Sequence, residues 1–383
     1  MENIKKMLNI IDQELKKKEI LRKDVAKRLG VSNGTVSNIF KQEHKISHMT
    51  FIELTRIAFG AYHHEFIKTF CREARFKVKV EAMEWAYANS DMDVLEVLIE
   101  KDREQEKHQE DMSITAVYEL QLLRLKGEIT KEEFYRKSEI MKFDCKNMHI
   151  EQLILLNICS IYYFIDDHLY SSVWPQAKSL LIQVPRIENP YMQVAFSIRL
   201  KIALLYTGLR AKKYNECVEI GNELLNDETF LEMFPMYYNN VLVCLSEIYA
   251  LSDYDKSIYY LNKAMGMVDE GFFESNSGWS YRIKSTSDFI RIHHNKFEEE
   301  LFLEALDEKA HFYAKGNSED KKKALEILEE IIQQDGELDE FGLYYKALAL
   351  DDLDLMKQSI KLFYMTGDFH YAELPMKYIE NYN

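Results

Sequence analysis

In the stretch RKDVAKRLGVSNGTVSNIFKQ (residues 22–42), the side chains of Asn33, Thr35, Ser37, Asn38 and Lys41 fall within nine consecutive residues. Their chemistry is hydrogen bonding and charge, not covalent or acid–base work. Asparagine reads adenine edges through two bonds, and serine and threonine bond bases or phosphates. Arg22, Lys23, Lys27, Arg28 and Lys45 surround them with cations suited to neutralising phosphate, which brings affinity and salt sensitivity but no sequence choice.

These side chains are held by two short helices. Val25, Ala26 and Leu29 share one face of the first, since residues three and four apart lie side by side. Gly30 ends it, because glycine takes the left-handed turn at least cost. Ser32 or Asn33 caps the second helix, and Val36 and Ile39 turn inward against the first. The pattern is a helix-turn-helix with Ala26 at the crossing, and its second helix enters the major groove by its N-terminal half. Met49, Ile52, Leu54, Ile57 and Ala58 supply a further helix that closes the small domain.

Charge sets this end apart. Residues 1–80 carry 17 Lys plus Arg against 9 Asp plus Glu, a net of +8, within a 383-residue chain of net charge −15. The remainder therefore holds −23. A basic head on an acidic body is an electrostatic footprint for a polyanion. With 47% hydrophobic residues, 13 Gly and only 5 Pro, none before Pro175, helices are permitted almost everywhere. The five cysteines (71, 145, 159, 217 and 244) form no CxxC pair and read as buried thiols of a reducing compartment. The N-terminus lacks a continuous apolar h-region and no run of about 18 apolar residues occurs, so a cytoplasmic protein without a membrane partner is expected.

Beyond residue 80 the pattern is helix after helix. RLKIALLYTGLRAKKYNECVEIGNELL (199–225) and NNVLVCLSEIYALSDYDKSIYYLNKAM (239–265) each place an apolar helix ending near Tyr206 or Tyr249 before a polar turn. Tyr214 or Tyr254 then opens a second helix. The offset of 40–43 residues is looser than the roughly 34 of an ideal tetratricopeptide repeat. The expectation is an all-α chain: a helix-turn-helix domain followed by a degenerate tetratricopeptide-like α-solenoid, or superhelix, with an extended concave surface. EGFFESNSGWS (270–280) reads as a loop between two halves.

Catalysis finds little support. There is no Gly-rich phosphate loop, GxSxG or HExxH, and the pairs Asp166–Asp167 and Asp351–Asp352 read as solvated charge. His63–His64, His293–His294 and Cys145 with His149 lack the ligand count of a zinc site. No cofactor, no metal and no enzymatic activity are expected.

A helix-turn-helix followed by such repeats resembles the peptide-responsive quorum-sensing regulators of Gram-positive bacteria and their phages. EFIKTFCREARFKVKVEAMEWAYANSDMDVLEVLIE (65–100) is similar to the arbitrium receptors of Bacillus phages through Phe66, Phe70, Cys71, Ala82, Tyr87, Ala88 and Leu95. So is the 197–225 stretch, through Arg199, Leu204, Tyr206, Arg210, Tyr214, Cys217 and Leu225. The resemblance implies a homodimer that binds an operator in double-stranded DNA and activates a small regulatory RNA gene favouring lysis. A short signalling peptide in the repeat groove then stops that activation. It further implies a head over 1–80, a peptide-sensing repeat region over 81–345, and capping helices over 346–383 that serve dimerisation.

An extended peptide needs side-chain amides for its backbone and a cation for its carboxylate. Asn239 and Asn240 are the amide candidates, Tyr206 is a further peptide-binding candidate, and Asp368 can meet a basic peptide residue. Arg199 and Arg210 either take the terminal carboxylate or stay in structural pairs. A different class, a repeat module that holds a partner protein without specific DNA binding, is also compatible with the sequence.

Overall fold

The computed structural model describes residues 2–41, 46–60, 63–73, 78–105, 113–144, 148–227, 233–269 and 278–382. Among these, the regular structure is twenty-one α-helices and one 3-10 turn at Val184–Arg186, with no strand. The all-α helical-repeat fold expected from the sequence is the one observed. Packing divides the chain into two compact units.

The first unit takes residues 1–163, 178–200 and 225–238. Here α1 (Glu2–Lys17) packs on α4 (His48–Phe59) and α5 (His64–Arg72), burying Met7, Leu8, Ile11 and Leu15. α2 (Arg22–Leu29) packs on α3 (Asn33–Lys41) and α4. Phe51 of α4 stacks on Phe70 of α5 with ring centroids 4.1 Å apart, a pair that adds about 1 kcal/mol to the area it buries. α6 (Lys79–Ala88), α7 (Met92–Gln105), α8 (Ile114–Leu125) and α9 (Lys131–Asp144) then pack each on the next.

The second unit takes residues 164–177, 201–224 and 239–383. α10 (Ile150–Asp166), α11 (Tyr170–Gln183), α12 (Pro190–Arg210), α13 (Tyr214–Leu225) and α14 (Pro235–Tyr249) precede or enter it. α15 (Tyr254–Asp269), α16 (Gly278–His293), α17 (Leu306–Ala314), α18 (Ser318–Asp335), α19 (Glu340–Leu350), α20 (Leu353–Thr366) and α21 (Glu373–Tyr382) lie wholly within it. Tyr206 and Tyr249 do fall near the ends of their helices, and Tyr214 and Tyr254 open the next, as the repeat spacing implies. Of the loop expected at 270–280, residues 270–277 lie outside the described residues and Gly278–Ser280 already belong to α16.

One turn recurs through both units. After α6, α8, α10, α12 and α16 the chain passes through a single residue with positive φ: Ser90, Gly127, His168, Lys212 and Asn295. The next amide closes on a carbonyl five residues back, as in Asp91→Ala86, Glu128→Leu123, Leu169→Phe164, Lys213→Gly208 and Lys296→Arg291. This is the Schellman closure, which satisfies carbonyls otherwise orphaned at a helix end and folds each helix back on its neighbour. Only one of the five uses glycine. The repeats are thus degenerate in sequence while one turn geometry persists.

Close approach is needed inside a pair. A Cβ on Gly208 would stand 2.3 Å from the Trp174 ring and 2.5 Å from Cys217 Sγ. α12 has a mean hydropathy of 1.2 in its most apolar window and passes the length and composition test for a membrane span, but 67% of that window is buried within the protein. That burial is what a core helix shows.

Candidate functional site

At the N-terminal head, α2 ends at Gly30 with φ 66°, and the amides of Gly30 and Val31 reach the carbonyls of Lys27 and Ala26. Ser32 Oγ then accepts the Thr35 amide at 3.1 Å and lies 2.9 Å from the Thr35 hydroxyl, so Ser32 is the cap that starts α3. Val25, Ala26, Val36 and Ile39 are buried between the two helices. The candidate reading residues occupy the other side: Asn33 and Lys41 are exposed, and Thr35, Ser37 and Asn38 are half-buried. Lys23, Lys27 and Arg28 are exposed; Lys45 lies outside the described residues.

Arg22 has partners within the head. Its guanidinium pairs with Asp12 of α1 and lies 3.7 Å over the Phe40 ring of α3. Partial burial pulls its pKa down while Asp12 holds it up. The guanidinium thereby joins three helices of the head.

A second cluster ties the head to the repeats within the first unit. His48, the first residue of α4, is fully buried, its ring edge-on to Tyr191 at 4.9 Å, and burial drives its pKa to about 3. Its backbone N–H donates to Glu81 Oε2 at 3.0 Å, and Asn189 Nδ2 donates to Glu81 Oε1 at 3.0 Å. One carboxylate on α6 therefore grips both the start of α4 and the segment before α12.

Arg199 is enclosed. Its guanidinium donates to Glu84 (2.8 Å), Gln121 (2.7 Å) and Tyr162 (2.8 Å) and lies 4.3 Å over the Tyr87 ring. Tyr118 donates to the same Glu84 oxygen at 2.8 Å. Burial works against the guanidinium, but Glu84 and the surrounding tyrosine hydroxyls keep it charged. Of the two roles the sequence left open, Arg199 occupies the structural pair. Asn239 is likewise committed, donating to the Ala264 carbonyl at 2.9 Å while its Oδ1 stays buried without a partner.

The remaining candidates converge in the second unit. Arg210 stacks 3.5 Å over the Tyr206 ring, and its Nε stands 3.3 Å from Asp368 Oδ2, misaligned for a hydrogen bond. Burial pushes the Asp368 carboxyl up against the pull of Arg210. Arg282 donates to Asn240 Oδ1 (3.3 Å) and Glu247 Oε1 (3.4 Å). Glu247 and Arg210 in turn line a cavity of about 200 Å³ with Glu308, Ser285, Phe289 and Tyr371. Glu247 Oε2 and Glu308 Oε2 are buried there with no partner. Ser285 donates to Glu308 Oε1 at 2.8 Å, yet burial and the neighbouring Asp307 raise the Glu308 carboxyl to about 7.

A larger cavity of about 530 Å³ adjoins it and shares Asp307 and Asp339. Sequence reasoning missed Glu247, Glu308 and this second cavity. One signal was available: Glu308 lies three residues after buried Ala305 and three before buried His311, a carboxylate at the apolar period of α17. No metal-binding group of three or more His, Cys, Asp or Glu occurs among the described residues.

A family model described as AimR transcriptional regulator-like matches residues 62–381. Among curated proteins, an uncharacterized Bacillus anthracis protein, pXO2-35, is 26% identical over 261 residues, 68% of this chain and 93% of that protein. Among solved structures, phAimR-Ligand superposes with a TM-score of 0.74 at 17% identity, over 89% of this chain and 98% of the other. SeMet-phAimR does so with a TM-score of 0.69 at 16% identity, over 98% and 97%.

Proposed function

Since the chain belongs to the AimR transcriptional regulator-like family, we propose that it is a cytoplasmic, homodimeric regulator whose binding to an operator is controlled by a short signalling peptide in a phage lysis–lysogeny decision. The head (1–80) holds the duplex, the repeats (81–345) hold the peptide, and the last helices (346–383) pair two copies. The observation that carries the reading is the Ser32-capped α3, with Asn33, Ser37, Asn38 and Lys41 on its uncovered side, joined to repeats whose fold is that of phAimR-Ligand. Paired copies suit it, because one helix-turn-helix meets only half a two-fold site. The exposed apolar residues Leu350, Tyr364, Met365, Phe369 and Tyr382 of the last helices supply a surface for that pairing.

In the second unit the peptide's basic side chain meets Glu247 and Glu308, its backbone meets Asn240, and Asp368 serves by holding Arg210 in place. Arg210 and Tyr206 frame that contact. The peptide controls DNA binding by preferring one arrangement of the two heads, since a ligand shifts an equilibrium only through its differential affinity.

The test is selection of duplexes from a random pool by the full-length protein at modest salt, followed by titration with short peptides. Expected are an enriched sequence that survives competitor DNA and a peptide that alters its retention. No enrichment at any salt would overturn the proposal in favour of a repeat module that holds a partner protein. That reading draws its support from the family match, which begins at residue 62, after α3 and α4.

A further inference from the structure

We infer that the two cavities joined at Asp307 and Asp339 form one acidic track, and that the ligand of the second unit carries two cationic groups. One sits against Glu247 and Glu308; the other sits among Asp335, Glu337 and Glu340. The inference rests on the reading of this unit as the ligand-binding part.

The charges make the case. In the smaller cavity Arg210 is already faced by Asp368, and Glu247 shares Arg282 through its other oxygen. That leaves Asp307, Glu308 and Asp339 without a countercharge. Glu247 and Glu308 are 7% and 8% exposed, and each turns an oxygen with no hydrogen-bond partner on this space. A buried carboxylate oxygen left so is costly, and an ammonium or guanidinium donor cancels the cost. The larger cavity has no Lys or Arg in its lining, while Asp307, Asp335, Glu337, Asp339 and Glu340 all face it. Among the described residues none of these five forms an ion pair with Lys or Arg. The Asp307 carboxyl is raised to about 6, first by desolvation and then by the like charges of Asp339 and Asp335.

The walls are also fixed in place. Asp339 caps α19 by accepting the Gly342 amide at 2.7 Å, and His168, at the turn after α10, is held by Tyr170 at 3.0 Å. The track is a preformed acceptor, so little ordering is required when a ligand enters. Two cations on one ligand gain over one because the second docks at high effective concentration.

The source of the cations, a peptide with two basic residues or a free polyamine, is separated by the probes. Calorimetry on the full-length protein would compare N-acetylated hexapeptides carrying one or two arginines, and spermidine, in the wild type, in the double variant Asp335→Asn/Glu337→Gln and in Glu308→Gln. The two altered positions of the double variant are exposed and keep their shape as amides, and thermal melting checks that each variant folds. Expected is at least tenfold tighter binding of the two-arginine peptide, or of spermidine with its three ammonium groups, than of the one-arginine peptide. That advantage should fall to within twofold in the double variant and fade at high salt. Spermidine binding lost in the double variant, with no peptide bound at all, keeps the acidic track and removes the peptide reading. Equal affinity for one and two cations, an advantage that survives the double variant, or no binding of any probe overturns the inference.

Discussion

Glu84 and Arg199 stand 2.8 Å apart with both side chains wholly sealed from solvent. A pair so placed is weak evidence of stability by itself, because desolvation of two charges offsets their attraction. Breaking it is another matter. Arg199→Met should cost about 3–5 kcal/mol by stranding the Glu84 charge, and adding Glu84→Leu should recover most of the loss. Urea titrations of the single and double variants measure both, and recovery below a third of the loss would place the energy in the tyrosine contacts instead.

In the head, Arg22 and Lys27 should behave differently although both are basic residues of α2. Lys27→Ala should leave the melting temperature unchanged and lower the salt slope of DNA binding by about one. Arg22→Ala should lower the melting temperature by several degrees, since it removes the link from Asp12 to Phe40. Asn38→Ala should keep the fold and lose discrimination between duplexes, read by competition binding.

Glu308 ties stability to pH with a definite sign. Its carboxyl is raised from the ordinary 4.5 to about 7, so the folded protein holds this proton more tightly than the unfolded chain does. The stability it contributes is full below about 4.5, declines as pH rises to about 7 and is flat above, by at most about 3 kcal/mol. Asp307 on the same helix is shifted in the same sense, while Asp288 adds to and Ser285 opposes the shift on Glu308. Melting curves from pH 5 to 8 should therefore slope down in the wild type and less steeply in Glu308→Gln. Cation binding should strengthen over the same interval, as the carboxyl ionises.

Gly208→Ala should destabilise by about 1–3 kcal/mol, because the added methyl meets the Trp174 ring and Cys217 Sγ, neither of which is the loose end of a flexible chain. The companion Trp174→Leu should relieve part of it, measurable as non-additivity in a double-mutant cycle.

What the sequence disclosed was what is local. The helix-turn-helix, its Gly30 turn and its inward residues lie within twenty positions of one another, and the repeat spacing shows in Tyr206–Tyr214 and Tyr249–Tyr254. The partners of Arg22 were not legible, because Asp12 lies on the helix before and Phe40 at the far end of the helix after, where only packing brings them to its guanidinium. Arg199 depends on Glu84, Gln121 and Tyr162, which are brought together only by packing. Asn239 looked like a ligand amide because its type is right; only the fold shows that the Ala264 carbonyl already takes its donor. The two acidic cavities escaped for the same reason, since their carboxylates come from helices and turns far apart in sequence, with Glu247, Glu308 and Asp335 on three different helices.

The grip of Glu81 on the His48 amide and on Asn189 bears on separability. A fragment begun at residue 62, where the family match starts, would leave that carboxylate short of a donor and bare the faces of Phe70 and Tyr191 that His48 covers. Through that one carboxylate the first turn of α4 answers directly to the position of α6, so the start of that head helix and the first repeat helix share a fastening.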